Sequence, residues 1–236
     1  MNPETRDKLM HVSTATLCTA LFKRGLRHQF IQDVRPLNPG LPNMVGPAFT
    51  LRYMPAREDL DTISVFEDRE HPQRKAVETC PAGAVFVIDS RKDARAASAG
   101  GILVSRLMKR GVAGIVTDGG FRDSPEIARL AIPAYHSRPA APTNLSLHHA
   151  IDIDVPVGCG DAPVYPGDVI VGDAEGVVVI PAPLADQIAD EAVAMTAFED
   201  FVQAQVLEGR SILGLYPATD PQTRTDFAAW RAAQGR

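Results

Sequence analysis

The chain has 236 residues, of which 45% are apolar and 22% are charged, a balance typical of a folded domain in water. Its net charge of −5 and the lack of a dense Lys/Arg run disfavour a nucleic-acid partner. No apolar run approaches the ~20 residues of a membrane span. The first residues also lack the apolar segment of a signal peptide, so we expect a cytoplasmic protein with no membrane partner.

Apolar periodicity and turn residues divide the first part of the chain into alternating strands and helices. The predicted elements are helices over 13–24, 101–110 and 124–130, and strands over 45–53, 84–89, 112–118 and 132–136. Residues 56–79 are rich in charge and indicate a loop with a short helix. Strands that alternate with helices are typical of a parallel sheet with crossover helices, so the predicted fold class is α/β.

The pattern changes after residue 150, where short β runs are separated by turn clusters. These runs cover residues 153–157, 169–171 and 177–180, and they predict antiparallel or barrel-like strands. A long amphipathic helix over 184–207 and a short terminal segment over 226–234 follow. We therefore predict one α/β domain over residues 1–183, with residues 184–236 as a C-terminal helical extension of the same domain.

Charged residues gather directly after the strand over 112–118 and its Gly119-Gly120 turn. They form the sequence Arg122-Asp123-x-x-Glu126. A guanidinium binds a carboxylate bidentately, and a carboxylate beside a glycine turn suits a hard cation such as Mg²⁺. Asp123 and Glu126 can also face one side of a helix start. The alternative is purely local: Asp123 is an N-cap, Glu126 its capping-box partner, and Arg122 part of a surface ion pair.

Gly100-Gly101 opens the helix over 101–110, where free N–H groups and the positive end of the helix dipole bind anions. A plain tight turn is the alternative. In a parallel sheet, a helix start and the end of the next strand lie at the same edge, so Gly100-Gly101 and Arg122-Asp123 are expected to face one pocket. Asp89 ends another strand at this edge, and Asp118 is interpreted as a turn residue.

The spacing from Gly101 through Arg122-Asp123 to Glu126 resembles the class II 4-hydroxy-4-methyl-2-oxoglutarate/4-carboxy-4-hydroxy-2-oxoadipate aldolase family. That family includes relatives called regulator of ribonuclease activity A. The resemblance covers residues 11–182. Other matching stretches are Ser13-Thr14-Ala15-Thr16-Leu17, Gly46-Pro47-Ala48-Phe49-Thr50, Gly111 through Gly119, Pro166-Gly167-Asp168 and Asp173-x-x-Gly176-Val177-Val178.

The resemblance implies a swivelling ββα-type, three-layer fold, a homotrimer or homohexamer, and a site at the subunit interface. It also implies a division of roles. Arg122 would hold the carboxylate of a pyruvate-like moiety, together with the backbone around Gly100, Gly101, Ile102 and Leu103. Asp123 would ligate Mg²⁺ or Mn²⁺, which would act as a Lewis acid on the 2-oxo group of the substrate and stabilise the pyruvate enolate.

One position departs from the aldolases that degrade aromatic compounds, which tend to carry an acid where this chain has Gly101. Glu126 would then supply the missing carboxylate near the metal, so Arg122, Asp123 and Glu126 form the expected catalytic set. Two functions follow. The first is a metal-dependent lyase that cleaves a 2-oxo acid in a retro-aldol reaction or decarboxylates it. The second is a non-catalytic, protein-binding regulator of a ribonuclease.

Overall fold

The structure is a computed structural model that describes residues 1–235. The helices are α1 Pro3–Leu9, α2 Thr14–Phe22, α3 Pro72–Thr79, α4 Gly101–Lys109, α5 Ser124–Ile127, α6 Ala185–Leu207 and α7 Pro221–Gln234. The strands are β1 Phe30–Ile31, β2 Arg35–Pro36, β3 Met44–Pro55, β4 Val85–Asp89, β5 Ala97–Ala99, β6 Gly114–Thr117, β7 Gly120–Phe121, β8 Ala134–His136, β9 Arg138–Pro139, β10 His148–Ile153, β11 Val157–Cys159, β12 Ala162–Val164, β13 Val169–Gly172 and β14 Val177–Ile180. Short 3-10 helices cover Ile63–Glu67, Asn144–Ser146 and Ala182–Leu184.

A mixed sheet forms the centre of the molecule, with strand order β1-β14-β13-β3-β4-β6-β8-β2 and with β10 also on β3. Its middle strands, β3, β4, β6 and β8, are parallel, and α3, α4 and α5 are the helices between them. Every residue of β4 and β6 is buried, as expected for strands covered on both faces. The predicted α/β class is confirmed.

The twelve-residue strand β3 joins the two parts of the sheet. Its first residues pair antiparallel with β13, its middle pairs parallel with β4, and its last residues pair antiparallel with β10. The strands of the second half therefore extend the same sheet instead of forming a separate body.

A second, small parallel sheet, β5-β7-β9, lies beside the central one. Ala99 of β5 pairs with Phe121 of β7, and Phe121 pairs with Pro139 of β9. Because α4 begins two residues after Ala99 and Arg122 follows Phe121, this pairing places the start of α4 beside Arg122-Asp123. The strands are only two or three residues long, and the sequence pattern did not predict them.

The C-terminal helices pack on the domain. Buried α6 residues, including Ile188 and Ala189, share a core with Leu17 of α2 and Val178 of β14. At the other end of α6, Phe201 packs against Phe227 and Trp230 of α7. Phe227 and Trp230 therefore dock on their own chain, and apolar burial explains both contacts.

The structure differs from the sequence prediction at three elements. A first helix, α1, was not predicted, although Asn2 caps it through a bond to the Glu4 N–H of 3.0 Å. The strand expected over 153–157 runs over His148–Ile153 instead, where it pairs with the end of β3. The helix expected over 124–130 is the short α5, which ends at Ile127. No helix within residues 1–235 is both long and apolar enough to span a bilayer.

Candidate active site

The start of α4 and the turn after β7 touch directly. The Arg122 N–H donates to the Ala99 carbonyl at 3.1 Å, which continues the β5–β7 pairing by one residue. A Cβ on Gly100 would lie 2.9 Å from Arg122 Cγ and 3.0 Å from Asp123 Oδ2, a separation that real Cβ atoms rarely show. A side chain at Gly100 would force Arg122 and Asp123 to shift, so the Gly100-Gly101 pair and the Arg122-Asp123 pair are parts of one structure.

Asp123 has a left-handed backbone, with φ of 56°, which aspartate tolerates better than most residues. Its Oδ2 accepts a bond of 3.0 Å from the Gly101 N–H and lies 3.5 Å from Arg122 Nε. Within residues 1–235, Oδ1 accepts no hydrogen bond. The side chain does not cap α5, so the capping-box alternative is not what the structure contains. Instead, the carboxylate bonds to the start of the preceding helix, α4, and keeps one oxygen free.

An open cleft, whose empty space of about 490 Å³ includes open solvent at its mouth, lies against these groups. Gly100, Ile102, Leu103, Arg122 and Asp123 all line it, so five of the seven predicted site residues meet there.

The backbone N–H groups at the start of α4 are only partly free. The Gly101 N–H is taken by Asp123, and the Leu103 N–H reaches the Gly100 carbonyl at 3.1 Å. The N–H of Ile102 donates to no residue of the described chain. Of the three amides expected to hold a carboxylate, Ile102 is thus the one available without rearrangement.

Glu126 is not brought into the cleft. Its carboxylate is largely exposed and lies 3.8 Å from the Arg129 guanidinium, one helical turn further along. Asp89 also lies elsewhere, in a cavity with Arg52 and Tyr165. Among the predicted acids, therefore, Asp123 alone borders the cleft.

Four polar cleft residues were missed at the sequence level, among them Thr143. Gln73 and Arg74 come from the first turn of α3, and Asn144 comes from the 3-10 helix over Asn144–Ser146. Helices between parallel strands begin at the carboxyl edge of the sheet, so the start of α3 was a place to look. No sequence signal marks Asn144.

Two of these residues carry buried polar atoms without partners, namely Gln73 Oε1 and Asn144 Nδ2. The Gln73 amide is oriented by its nitrogen, which donates to Tyr53 Oη at 2.8 Å and to the Ser98 carbonyl at 2.9 Å. Because the Ser98 carbonyl can only accept a hydrogen bond, the amide nitrogen of Gln73 must face it, and Oε1 is left without a partner. Buried groups of this kind usually have a partner, so both atoms are consistent with a polar ligand in the cleft.

A divalent cation could bind to the cleft residues through one carboxylate only. Among residues 1–235, no three His, Cys, Asp or Glu side chains cluster as metal ligands. The free oxygen of Asp123 is, however, a single hard donor beside an open cleft. Mg²⁺ commonly keeps several waters and binds through one or two carboxylates plus oxygens of the substrate. Asp123 is thus the residue that would hold it.

Comparison with known proteins shows the family. The Aldolase/RraA family model, described as RraA-like, matches residues 14–179. This chain belongs to the Aldolase/RraA family. The resemblance found in the sequence is therefore confirmed, and the matched range includes β3 through β13 with the whole Gly100–Asp123 region.

Individual relatives agree with that assignment. A Halalkalibacterium halodurans protein named "Putative 4-hydroxy-4-methyl-2-oxoglutarate aldolase" is 33% identical over 70% of this chain and 72% of its own length. Protein DlpA of Legionella pneumophila is 22% identical over 89% of this chain, which spans only 33% of that protein. The crystal structure of Streptomyces coelicolor RraAS2, titled an unusual member of the RNase ES inhibitor RraA protein family, is 31% identical, with a TM-score of 0.75 over 86% of this chain and 97% of that one.

Proposed function

We propose that this Aldolase/RraA member is a lyase that releases pyruvate from a 2-oxo acid, by retro-aldol cleavage or by decarboxylation. The observation that carries the proposal is the Arg122-Asp123 pair, locked against the start of α4 and facing an open cleft. The H. halodurans relative named as an aldolase supports the same class of reaction.

Arg122 binds the substrate carboxylate in this proposal. Its guanidinium lies 3.5 Å from Asp123 through Nε and is about half exposed at the cleft. A guanidinium can bind a carboxylate through two parallel N–H donors, which fixes the orientation of the adjacent 2-oxo group. The free Ile102 N–H adds a donor at the positive end of α4.

Asp123 would hold Mg²⁺ or Mn²⁺ through its free oxygen. When bound, the cation supplies Lewis-acid stabilisation of the negative charge that develops on the 2-oxo oxygen. The Gly101 N–H restrains the other carboxylate oxygen, and the left-handed backbone at Asp123 sets the direction of the side chain. The carboxylate is therefore positioned before the substrate arrives, which reduces the cost of reorganisation during the reaction.

The two reactions share one electron flow. In retro-aldol cleavage, the 4-hydroxyl loses its proton, the C3–C4 bond breaks, and C4 leaves as a carbonyl group. In decarboxylation, the distal carboxylate leaves as CO₂. The electron pair remains on the pyruvate fragment as an enolate in both cases, and a proton is added at C3 to give pyruvate.

A screen of 2-oxo acids with detection of pyruvate tests the proposal. The compounds include oxaloacetate and several 4-hydroxy-2-oxo acids, each tried after EDTA treatment and again with Mg²⁺ or Mn²⁺ restored. We expect pyruvate release that requires the cation and is lost in Arg122→Ala. Arg129→Ala, which removes an exposed guanidinium seven residues away, is the matched control and should keep the activity.

Three results would contradict parts of this proposal. Absence of pyruvate from every compound would contradict the lyase function. Full activity in Arg122→Ala would contradict the assignment of Arg122 to the active site. Activity that survives EDTA and does not respond to either cation would contradict the metal dependence. We also propose a homotrimer or homohexamer, which light scattering on the purified protein would test.

A regulator of a ribonuclease is the second candidate, because the RraAS2 structure is titled as a member of an RNase inhibitor family. Such a protein would need a partner surface but no cleft with an oriented Arg-Asp pair. Capture of a ribonuclease that remains bound to both wild type and Arg122→Ala, with no pyruvate release, would favour this function over the lyase.

A further inference from the structure

The cleft contains a second guanidinium that the proposed reaction leaves unused. Arg74 lies in the first turn of α3 and is half-buried, with its guanidinium carbon 4.2 Å from the centre of the Phe66 ring. Phe66 lines the same cleft. The stacked ring holds the guanidinium in place without neutralising its charge.

Arg74 has no carboxylate partner of its own. Within residues 1–235, no Asp or Glu forms an ion pair with it, although Lys75, the next residue, pairs with Glu70 at 2.6 Å. Asp123 is the one acid that borders the cleft, and Arg122 already lies beside it. Two guanidinium groups thus share a cleft that contains one carboxylate.

The positive charges in this cleft act on each other. Burial, and secondarily the charge of Arg122, lowers the pKa of Arg74 below its usual range. A ligand that places one carboxylate at each guanidinium would offset this repulsion. The cost of placing a half-buried cation without a partner is typical of a position that a charged ligand completes.

We infer that Arg74 is a specificity-determining residue that binds a second carboxylate, at the end of the substrate opposite to the group held by Arg122. The inference rests on the proposed function, whose candidate substrates already include dicarboxylic 2-oxo acids, and it assigns the residue that would recognise their second carboxylate. The unpartnered Asn144 Nδ2 is a further donor for an oxygen of this ligand, and the unpartnered Gln73 Oε1 is an acceptor for a hydroxyl group.

Two non-cleavable probes isolate the distal carboxylate. 2-Oxoglutarate and 2-oxopentanoate share the 2-oxo acid end and differ only in that one carries a carboxylate where the other carries a methyl group. We would measure the binding of both by calorimetry, in buffer with Mg²⁺, to the wild-type protein, Arg74→Met, Arg74→Lys and Lys75→Met. Methionine keeps an apolar chain over Phe66, whereas lysine keeps the charge without the planar fork.

We expect wild type to bind 2-oxoglutarate about ten- to a hundredfold more tightly than 2-oxopentanoate, because a charge-assisted hydrogen-bond pair is lost with the methyl group. Arg74→Met should abolish this preference and leave the affinity for 2-oxopentanoate unchanged. Arg74→Lys should restore part of it, and Lys75→Met should behave as wild type because its charge lies outside the cleft.

Several results would overturn the inference. The wild type would bind neither probe, or would bind both equally. Alternatively, Arg74→Met would keep the preference for 2-oxoglutarate, or would lose affinity for both probes to the same extent. The last would show a structural role only. Selective binding of 2-oxoglutarate without pyruvate release from any 2-oxo acid would instead contradict the proposed lyase and leave Arg74 as the residue that recognises the dicarboxylate.

Discussion

Asp118 and Asp123 are five residues apart and each comes soon after a strand, β6 and β7 respectively, yet their surroundings are opposite. Asp118 is buried and accepts bonds from the N–H groups of Ser90 at 2.7 Å, Lys92 at 3.0 Å and Gly160 at 3.2 Å. Asp123 is partly exposed, accepts one backbone bond and keeps one oxygen free at the cleft.

The difference separates an acid that holds the fold from one that is available for chemistry. Backbone donors stabilise the ionised form of Asp118, but burial outweighs them and raises its pKa. Its three backbone bonds join the end of β6 to the loop of Ser90 and Lys92 and to the turn at Gly160. Asp123 is held by one N–H only, so a ligand can add to it without displacing structure. Variants at the two positions should therefore fail in different ways.

The largest effect is expected for Asp123→Asn. The amide keeps the size of the side chain but loses the charge that would hold the cation, so pyruvate-forming activity should fall by about a thousandfold or more, equivalent to about 4 kcal/mol. Stability should change by less than about 0.5 kcal/mol, as for a partly exposed site. Urea unfolding beside the activity assay checks both. A large loss of stability would make Asp123 another structural acid.

Asp118→Ala should show the reverse pattern. Three backbone N–H groups would lose their shared acceptor, two of them on the buried residues Ser90 and Gly160. The free energy of unfolding should fall by about 3 to 4 kcal/mol, measured by urea denaturation. The folded fraction should still release pyruvate at a rate close to wild type. A loss of activity in fully folded protein would contradict the division between the two acids.

A third prediction concerns how stability depends on pH, through a buried histidine that packs near Arg122. His136 is buried and stacks on Phe121, the residue before Arg122, and burial lowers its pKa to about 4. The unfolded chain binds this proton near pH 6.5, so the contribution to stability is complete above that pH and is lost as the pH falls from 6.5 to about 4. The loss should reach about 3 kcal/mol.

His136→Phe keeps an aromatic ring over Phe121 and removes the titration. Its free energy of unfolding should therefore vary less with pH over this window than that of wild type, whatever its absolute value. His148, whose pKa is also lowered by burial, is present in both proteins and cancels from the comparison. Parallel pH curves for the two proteins would show that His136 does not titrate as proposed.

The sequence predicted those parts whose signal is local. The long helix over 184–207 matches α6, Ala185–Leu207, because an apolar stripe over six turns is hard to mistake. The expectation that Gly100-Gly101 and Arg122-Asp123 face one pocket followed from the geometry of parallel sheets, and the structure places Gly101 N and Asp123 Oδ2 3.0 Å apart.

Features that depend on contacts between distant residues were missed. The strands β5, β7 and β9 are too short for any periodicity and exist only through pairing with each other. Arg74 and Asn144 enter the cleft from segments seventy residues apart, and no spacing in the sequence connects them. The burial of His148 against Tyr53 likewise depends on the pairing of β10 with β3.

The smallest effect is expected for Glu126→Gln, which asks whether a second acid joins Asp123. The sequence interpretation placed the Glu126 carboxylate near the metal, whereas in the structure it is exposed and lies near Arg129. Surface ion pairs of this kind contribute little, so activity should change by less than about twofold and stability by less than about 0.5 kcal/mol. The concentration of Mg²⁺ needed for half activity is the decisive measurement. A shift of about tenfold or more would mean that Glu126 turns toward the cation when substrate is bound. Two acids at the cleft, Asp123 and Glu126, would then differ from the structural acid Asp118.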